Sequence, residues 1–187
     1  MKARLKAGAL LMLVMLVLTG PALAQEQSFF AGVELPTQFN FGSSSAESVS
    51  GFVGSFAFPF NVGVGFNMVS AATHDKSLNQ DLTIDLTTFD VFLHFPSDLW
   101  IWAIGTGTGT ASYSPNNFTA TVGPVSVESA PVAHYFGKLG FRITAEWAAE
   151  ASYHRFTGES DVKVSGLVKG KSALNAGMYS LGASYAF

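Results

Sequence analysis

Glu150, Ser152 and His154 occupy alternate positions of one segment, so in an extended chain their side chains project from one face. A carboxylate, a hydroxyl and an imidazole are what acyl transfer needs, with the serine in hydrogen-bond reach of a histidine that the acid orients. Residues two apart on a strand stand parallel and roughly 7 Å apart, which is long for that contact, so no catalytic residue is assigned. His94 and His134 also fall on polar faces, but no third ligand accompanies them and no metal site is expected. Gly105-Thr106-Gly107-Thr108-Gly109 lies within an alternating run, where its glycines read as wall packing and not as a phosphate loop. The polar faces are chiefly acidic: they carry Glu34, Asp81, Asp85, Asp90, Glu128, Glu146 and Glu150, with Arg142 as their cation.

Those faces are set by a period of two, the period of a β-strand. Phe29 to Phe41 places Phe29, Ala31, Val33, Leu35, Phe39 and Phe41 opposite Glu34, Gln38 and Asn40. Ser48 to Phe58 and Phe60 to Ala71 follow, split by Pro59-Phe60-Asn61. The next segment sets Leu82, Ile84 and Leu86 against Asp81 and Asp85, then Phe89, Val91, Leu93 and Phe95 against Asp90 and His94; the slip at Thr87-Thr88 predicts a bulge. Leu99 to Ser112 presents Trp100, Trp102 and Ile104 opposite the glycines. Thr119 to Tyr135 is interrupted by Pro124 and Pro131, each predicting a bulge or strand end. A turn near Gly137-Lys138 leads to Phe141 through His154, where Arg142, Glu146, Glu150, Ser152 and His154 share the polar side. Thr157 to Gly170 reads as the longest loop, and an eighth strand runs to Phe187.

Residues 1–24 stand apart. Lys2, Arg4 and Lys6 precede an apolar run, Gly20-Pro21 breaks any helix, and Ala22-Leu23-Ala24 has the small-x-small form of a cleavage site. The expectation is a secretory signal cut between Ala24 and Gln25, leaving 25–187 as one domain. The chain has no cysteine, hence neither a lipoprotein acceptor nor a disulfide. All 13 acidic residues but only some of the 10 Lys and Arg lie beyond the signal, so the mature domain is acidic and nucleic acid is excluded as a partner. Seventeen Phe with only 12% charged residues is an unusual balance for a soluble protein, whereas a β-barrel crosses lipid with every second residue apolar.

The end of the chain points the same way. Tyr179, Leu181, Ala183, Tyr185 and Phe187 alternate with Ser180, Gly182, Ser184 and Ala186. Ser180, Gly182, Tyr185 and Phe187 resemble the C-terminal signal of bacterial outer-membrane β-barrels, and the resemblance implies a closing strand read by the barrel-assembly machinery. The whole arrangement resembles the small eight-stranded barrels: the OmpA transmembrane domain, OmpX-like proteins and opacity-type barrels. It implies an all-β, closed, antiparallel, up-and-down transmembrane barrel in the outer membrane of a Gram-negative-type bacterium. Short turns at Pro59, Pro96 and Gly137 would face the periplasm with both termini. Phe58, Phe60, Phe95, Trp100, Trp102, Tyr135, Phe141 and Phe187 would form an aromatic band at that interface.

With the large aromatics turned to lipid, the polar face becomes the interior. Buried charges must pair, so Glu34, Glu128, Arg142, Glu146 and Glu150 are expected to form an interior network, with Arg142 bridging an acid. A narrow eight-stranded lumen is filled by side chains. The function expected is structural, or an interaction made by the loops with lipopolysaccharide or another surface, by a monomeric non-enzyme without cofactor. The alternatives are a lipid A-modifying enzyme and a narrow substrate-specific channel; known barrel deacylases carry a His-x-Ser pair toward lipid, the reverse of Ser152-x-His154.

Overall fold

The computed structural model describes residues 28–187 apart from 43, 76–79, 115–116, 121–122 and 165–166. Ala22 and Ala24, the expected cleavage residues, therefore lie outside the described residues. Eight long strands form the wall: β1 Phe30–Phe41, β2 Ser48–Ala57, β3 Val62–Asp75, β4 Gln80–Pro96, β5 Trp100–Ser114, β6 Ala130–Arg142, β7 Trp147–Val164 and β8 Leu167–Ala186. Each is antiparallel to the next, and β8 returns to pair with β1 from Phe30↔Ala186 to Phe41↔Ala176, so the sheet closes into an up-and-down barrel. Closure leaves the wall no free edge. No helix occurs among the described residues.

The two ends of the barrel differ. At one end the connections are tight. Asn61, the one described non-glycine residue with positive φ (65°), turns the chain between β2 and β3. Ser97 Oγ accepts the Trp100 N–H at 3.1 Å, and Thr144 Oγ1 accepts the N–H groups of Glu146 and Trp147 at 3.2 and 3.0 Å. Phe29 and Phe187 exchange two backbone hydrogen bonds of 3.0 Å there. At the other end the strands run on past the wall. Asn117–Ala120 and Gly123–Val127 form a hairpin that pairs with the tip of β7 through Val127↔Val162.

Several predicted boundaries move. The sixth strand is Ala130–Arg142, not Thr119 to Tyr135, and the turn expected at Gly137-Lys138 lies at 143–146. A four-residue turn preserves the parity of the alternation, so Phe141, Ile143, Ala145 and Trp147 read as one strand although the chain reverses among them. Within the stretch expected as a loop from Thr157 to Gly170, Thr157–Val164 and Leu167–Gly170 are the outer parts of β7 and β8. Tyr135 pairs with Thr106 and Arg155 well up the wall, away from the aromatic band.

The bulge predicted at Thr87-Thr88 is absent: β4 pairs residue for residue with β3 and β5 throughout. What changes there is polarity, not register. Thr88, Asp90, Phe92 and His94 point inward with Phe89 and Val91 outward; nearer the loop end Ile84 and Leu86 still point inward, with Asp85 exposed. The register does shift in β1, between Pro36 and Gln38 against β8, and again near the loop-end tip of β7, between Val162 and Lys163 against β8. Proline has no N–H for the ladder, and a bulge accommodates it. The shift turns Phe39 and Phe41 inward, opposite to the face expected for them.

Candidate functional site

The interior is stacked in three layers. Along β7 the inward residues are Ala148, Glu150, Ser152, His154 and Phe156; along β1 they include Phe30, Glu34 and Phe39; along β8, Ala186, Ser184, Ser180 and Met178. Each series runs apolar, polar, apolar. Phe30, Ala57, Phe92, Ile101, Phe136 and their neighbours fill the tight-turn end. Phe39, Val69, Leu86, Val132, Phe156, Met178 and others fill the loop end. Most of the buried polar groups lie between these two plugs, with His94 at the tight-turn end and Ser160 at the loop end. Glycines make the room: a Cβ on Gly105 would lie 2.6 Å from both Phe92 Cβ and Phe136 Cζ.

The cation of the polar layer is Lys138. Its ammonium lies 2.6 Å from Glu34 Oε1 and donates to Glu150 Oε2 at 3.0 Å and Ser55 Oγ at 3.1 Å. One side chain of β6 thus holds β1, β2 and β7. From the sequence Lys138 is expected in a turn and Arg142 as the interior cation; the structure places Lys138 in that role. Continuing the alternation of Tyr135, Gly137, Leu139 and Phe141 through the Gly-Lys pair puts Lys138 on the face of His134, and that signal was available.

Of the residues expected in the interior network, Glu34 and Glu150 lie in this layer; three do not. Arg142 sits at the tight-turn rim, donating to the Ala145 carbonyl at 2.8 Å, its guanidinium 5.4 Å from the Phe30 ring centroid. Glu146 is exposed in the turn and accepts from Thr144 Oγ1 at 3.1 Å. Glu128 is exposed at the loop end and pairs with Lys163. Moving the turn from Gly137-Lys138 to 143–146 accounts for Arg142 and Glu146. Asp85 is outward, and the side chain of Asp81 lies outside the described residues.

A chain of hydrogen bonds crosses the layer. Ser152 Oγ bonds Glu34 and lies 2.6 Å from His154 Nε2. His154 Nδ1 is 3.0 Å from His134 Nε2, and His134 Nδ1 is 2.6 Å from Asp90 Oδ1. Asn67 and Thr88 flank Asp90. The rings of His134 and His154 stack 5.1 Å apart, with Phe136 and Phe156 parallel beside them. The spacing of roughly 7 Å between alternate residues of a strand is thus closed, for Ser152 and His154, by the reach of the imidazole. His94 does not join His134; its ring packs edge-on to Phe30, one layer lower. No cluster of three metal-ligating side chains occurs among the described residues.

The sequence of groups Ser152–His154–His134–Asp90 has the connectivity of a nucleophile relay. Its hydroxyl, however, belongs to a residue only 6% exposed, enclosed between the two plugs. Of the C-terminal residues, Ser180 points inward, a Cβ on Gly182 would meet β1 at Val33 and Glu34, and Tyr185 and Phe187 point outward. Phe187 lies among Phe29, Phe56 and Tyr185, with ring centroids 6.3, 6.3 and 5.8 Å away.

Closed, up-and-down, eight-stranded and inverted in polarity, the chain has the fold of the small bacterial outer-membrane β-barrels. It is similar to the crystal structure of Neisserial surface protein A at a TM-score of 0.53 and 10% identity, over 87% of this chain and 98% of that one. It is equally similar to the solution structure of outer membrane protein W of E. coli, at 0.53 and 13%, over 86% and 97%. Ail, the attachment invasion locus protein of Yersinia pestis, solved with the heparin analogue sucrose octasulfate, matches at 0.52 and 17%, over 86% and 97%. No protein-family model matches the chain, and no curated protein sequence does.

Proposed function

We propose that this chain is an integral outer-membrane β-barrel whose role is structural or is exercised by its loop end, and that it is not an enzyme. The observation that carries this reading is the reversal of polarity along the wall. Toward the tight turns the outer surface is apolar: Val33, Leu35, Phe89, Val91, Ile104 and Leu181 are each at least 58% exposed, while charged groups lie inside. Toward the loops the outer surface carries Ser50, Asp85, Thr110, Ser112 and Ser114, with the phenylalanines inside. A soluble barrel would keep the second arrangement throughout. A barrel standing in a bilayer and projecting from it needs both, with aromatics at the boundary.

On this reading lipid and lipopolysaccharide surround the lower wall, the barrel-assembly machinery reads Ser180 to Phe187, and the protein acts as a monomer. The two apolar plugs argue against conduction. The enclosure of Ser152 argues against lipid A chemistry, and lipid A from cells with and without the protein is expected to show one acylation pattern. The direct test is recovery of the protein in outer-membrane fractions with different gel mobility before and after boiling. Recovery in the soluble periplasmic fraction, with one mobility, would overturn the assignment.

A further inference from the structure

The relay in the polar layer can be analysed by counting hydrogens. Four contacts join Glu34, Ser152, His154, His134 and Asp90 in series, and each needs one hydrogen between its two heavy atoms. Neutral Ser152, His154 and His134 supply one each, so one contact is left without a hydrogen when both carboxylates are ionised. With that count, the Ser152 hydrogen faces two acceptors, Glu34 Oε2 and His154 Nε2. With two additional protons on the rings, the N–H groups of His134 Nε2 and His154 Nδ1 oppose each other across 3.0 Å. One additional proton satisfies every contact.

We propose that these five residues form a proton relay holding one mobile proton, enclosed between two apolar layers. In one arrangement His134 is an imidazolium that donates through Nδ1 to Asp90 and through Nε2 to His154 Nδ1; His154 Nε2–H donates to Ser152 Oγ, and the serine O–H donates to ionised Glu34. Three transfers reverse the chain. The His134 Nε2 proton passes to His154 Nδ1, the His154 Nε2 proton passes to Ser152 Oγ, and the serine proton passes to Glu34. His134 is then neutral, Glu34 is a carboxylic acid, and no proton has entered or left. Each of the four contacts holds one hydrogen in both arrangements, so none of them sets two acceptors or two donors against each other.

The surroundings bear on the two ends differently. Glu34 faces the ammonium of Lys138, itself shared with Glu150. Asp90 is held by Asn67 and Thr88, neutral groups. Arg142 and His94 pack against Phe30 below the layer, and Glu146 is exposed in the turn beyond them. Ser180 and Ser184 line the layer on β8 as buried hydroxyls without a described partner.

Nuclear magnetic resonance of the folded full-length barrel in micelles tests the count. Ring nitrogen-15 spectra report which nitrogens of His134 and His154 carry hydrogen, and carboxyl carbon-13 shifts report Glu34 and Asp90. At neutral pH the two rings and two carboxyl groups are expected to hold three hydrogens in total, the fourth being the serine's. Two or four would overturn the proposal, and this measurement needs no variant. Asp90→Asn is expected to switch the tautomer of His154, which it does not touch, and Glu34→Gln to change the protonation of His134. Folded variants whose remote ring keeps its wild-type nitrogen shifts would show independent hydrogen bonds and no relay.

Discussion

Lys138 Nζ lies 2.6 Å from Glu34 Oε1, and the two residues reach each other from β6 and β1, strands that are not neighbours in the wall. The contact ties opposite parts of the barrel through its interior, and Glu150 and Ser55 complete the coordination of the ammonium. A cation placed so deeply is balanced by the two carboxylates it touches.

Replacing that cation should therefore cost more than a surface ion pair does. Lys138→Met leaves Glu34 and Glu150 buried without a counter-charge, and loss of one partner of a buried pair costs about 3–5 kcal/mol. The urea midpoint of the folded barrel in micelles, read by gel mobility, is expected to fall accordingly. Adding Glu34→Gln to the variant should recover part of the loss.

Glycine positions in the wall are expected to split by direction. Gly105→Ala drives a methyl against Phe92 and Phe136, and overpacking of this kind costs about 1–3 kcal/mol. Gly137 points outward with nothing within 4 Å of a Cβ, and Gly137→Ala should stay within about 0.5 kcal/mol of wild type. Paired urea titrations decide between them.

The reversal of polarity can be read by labelling. In intact cells, a membrane-impermeant maleimide should modify Asp85→Cys and spare Leu86→Cys, whose position is 1% exposed. Gln38→Cys should react and Phe39→Cys should not. Reaction in the opposite sense at the second pair would remove the Pro36 bulge; in the first, it would restore the slip predicted at Thr87-Thr88.

Deletion of Phe187 separates assembly from folding. The residue is exposed, and its ring packs only on the outer surface, so folding into micelles should survive its loss. Outer-membrane yield should drop if the terminal aromatic is read during assembly, and equal yield would argue against that role.

Alternation made much of this architecture visible beforehand. Val33 and Leu35, Trp100 and Trp102, and Tyr185 and Phe187 all face outward as their spacing requires, because side-chain direction on a strand follows parity alone. Parity fails where the chain reverses without changing it: the turn at 143–146 leaves no mark in the alternation, and a turn at Gly137-Lys138 is expected in its place. It fails again where polarity inverts at constant register: along β4 the change from outward apolar to inward apolar residues imitates a one-residue slip. The inverse error occurs in β1, where a real slip at Pro36 keeps the spacing from Leu35 to Phe39 even and hides the reversal of Phe39.

The acidic interior with Glu34 and Glu150, the outward aromatic residues and the closing strand ending at Phe187 are therefore properties of the sequence, since each depends only on local direction. The partners of the buried groups are not. His134 meets His154, and Lys138 meets Glu34, because sheet closure and strand stagger bring together residues whose separation along the chain carries no information about contact. Only the closed barrel decides which buried charge faces which, and with it that the Lys138 ammonium lies between Glu34 and Glu150.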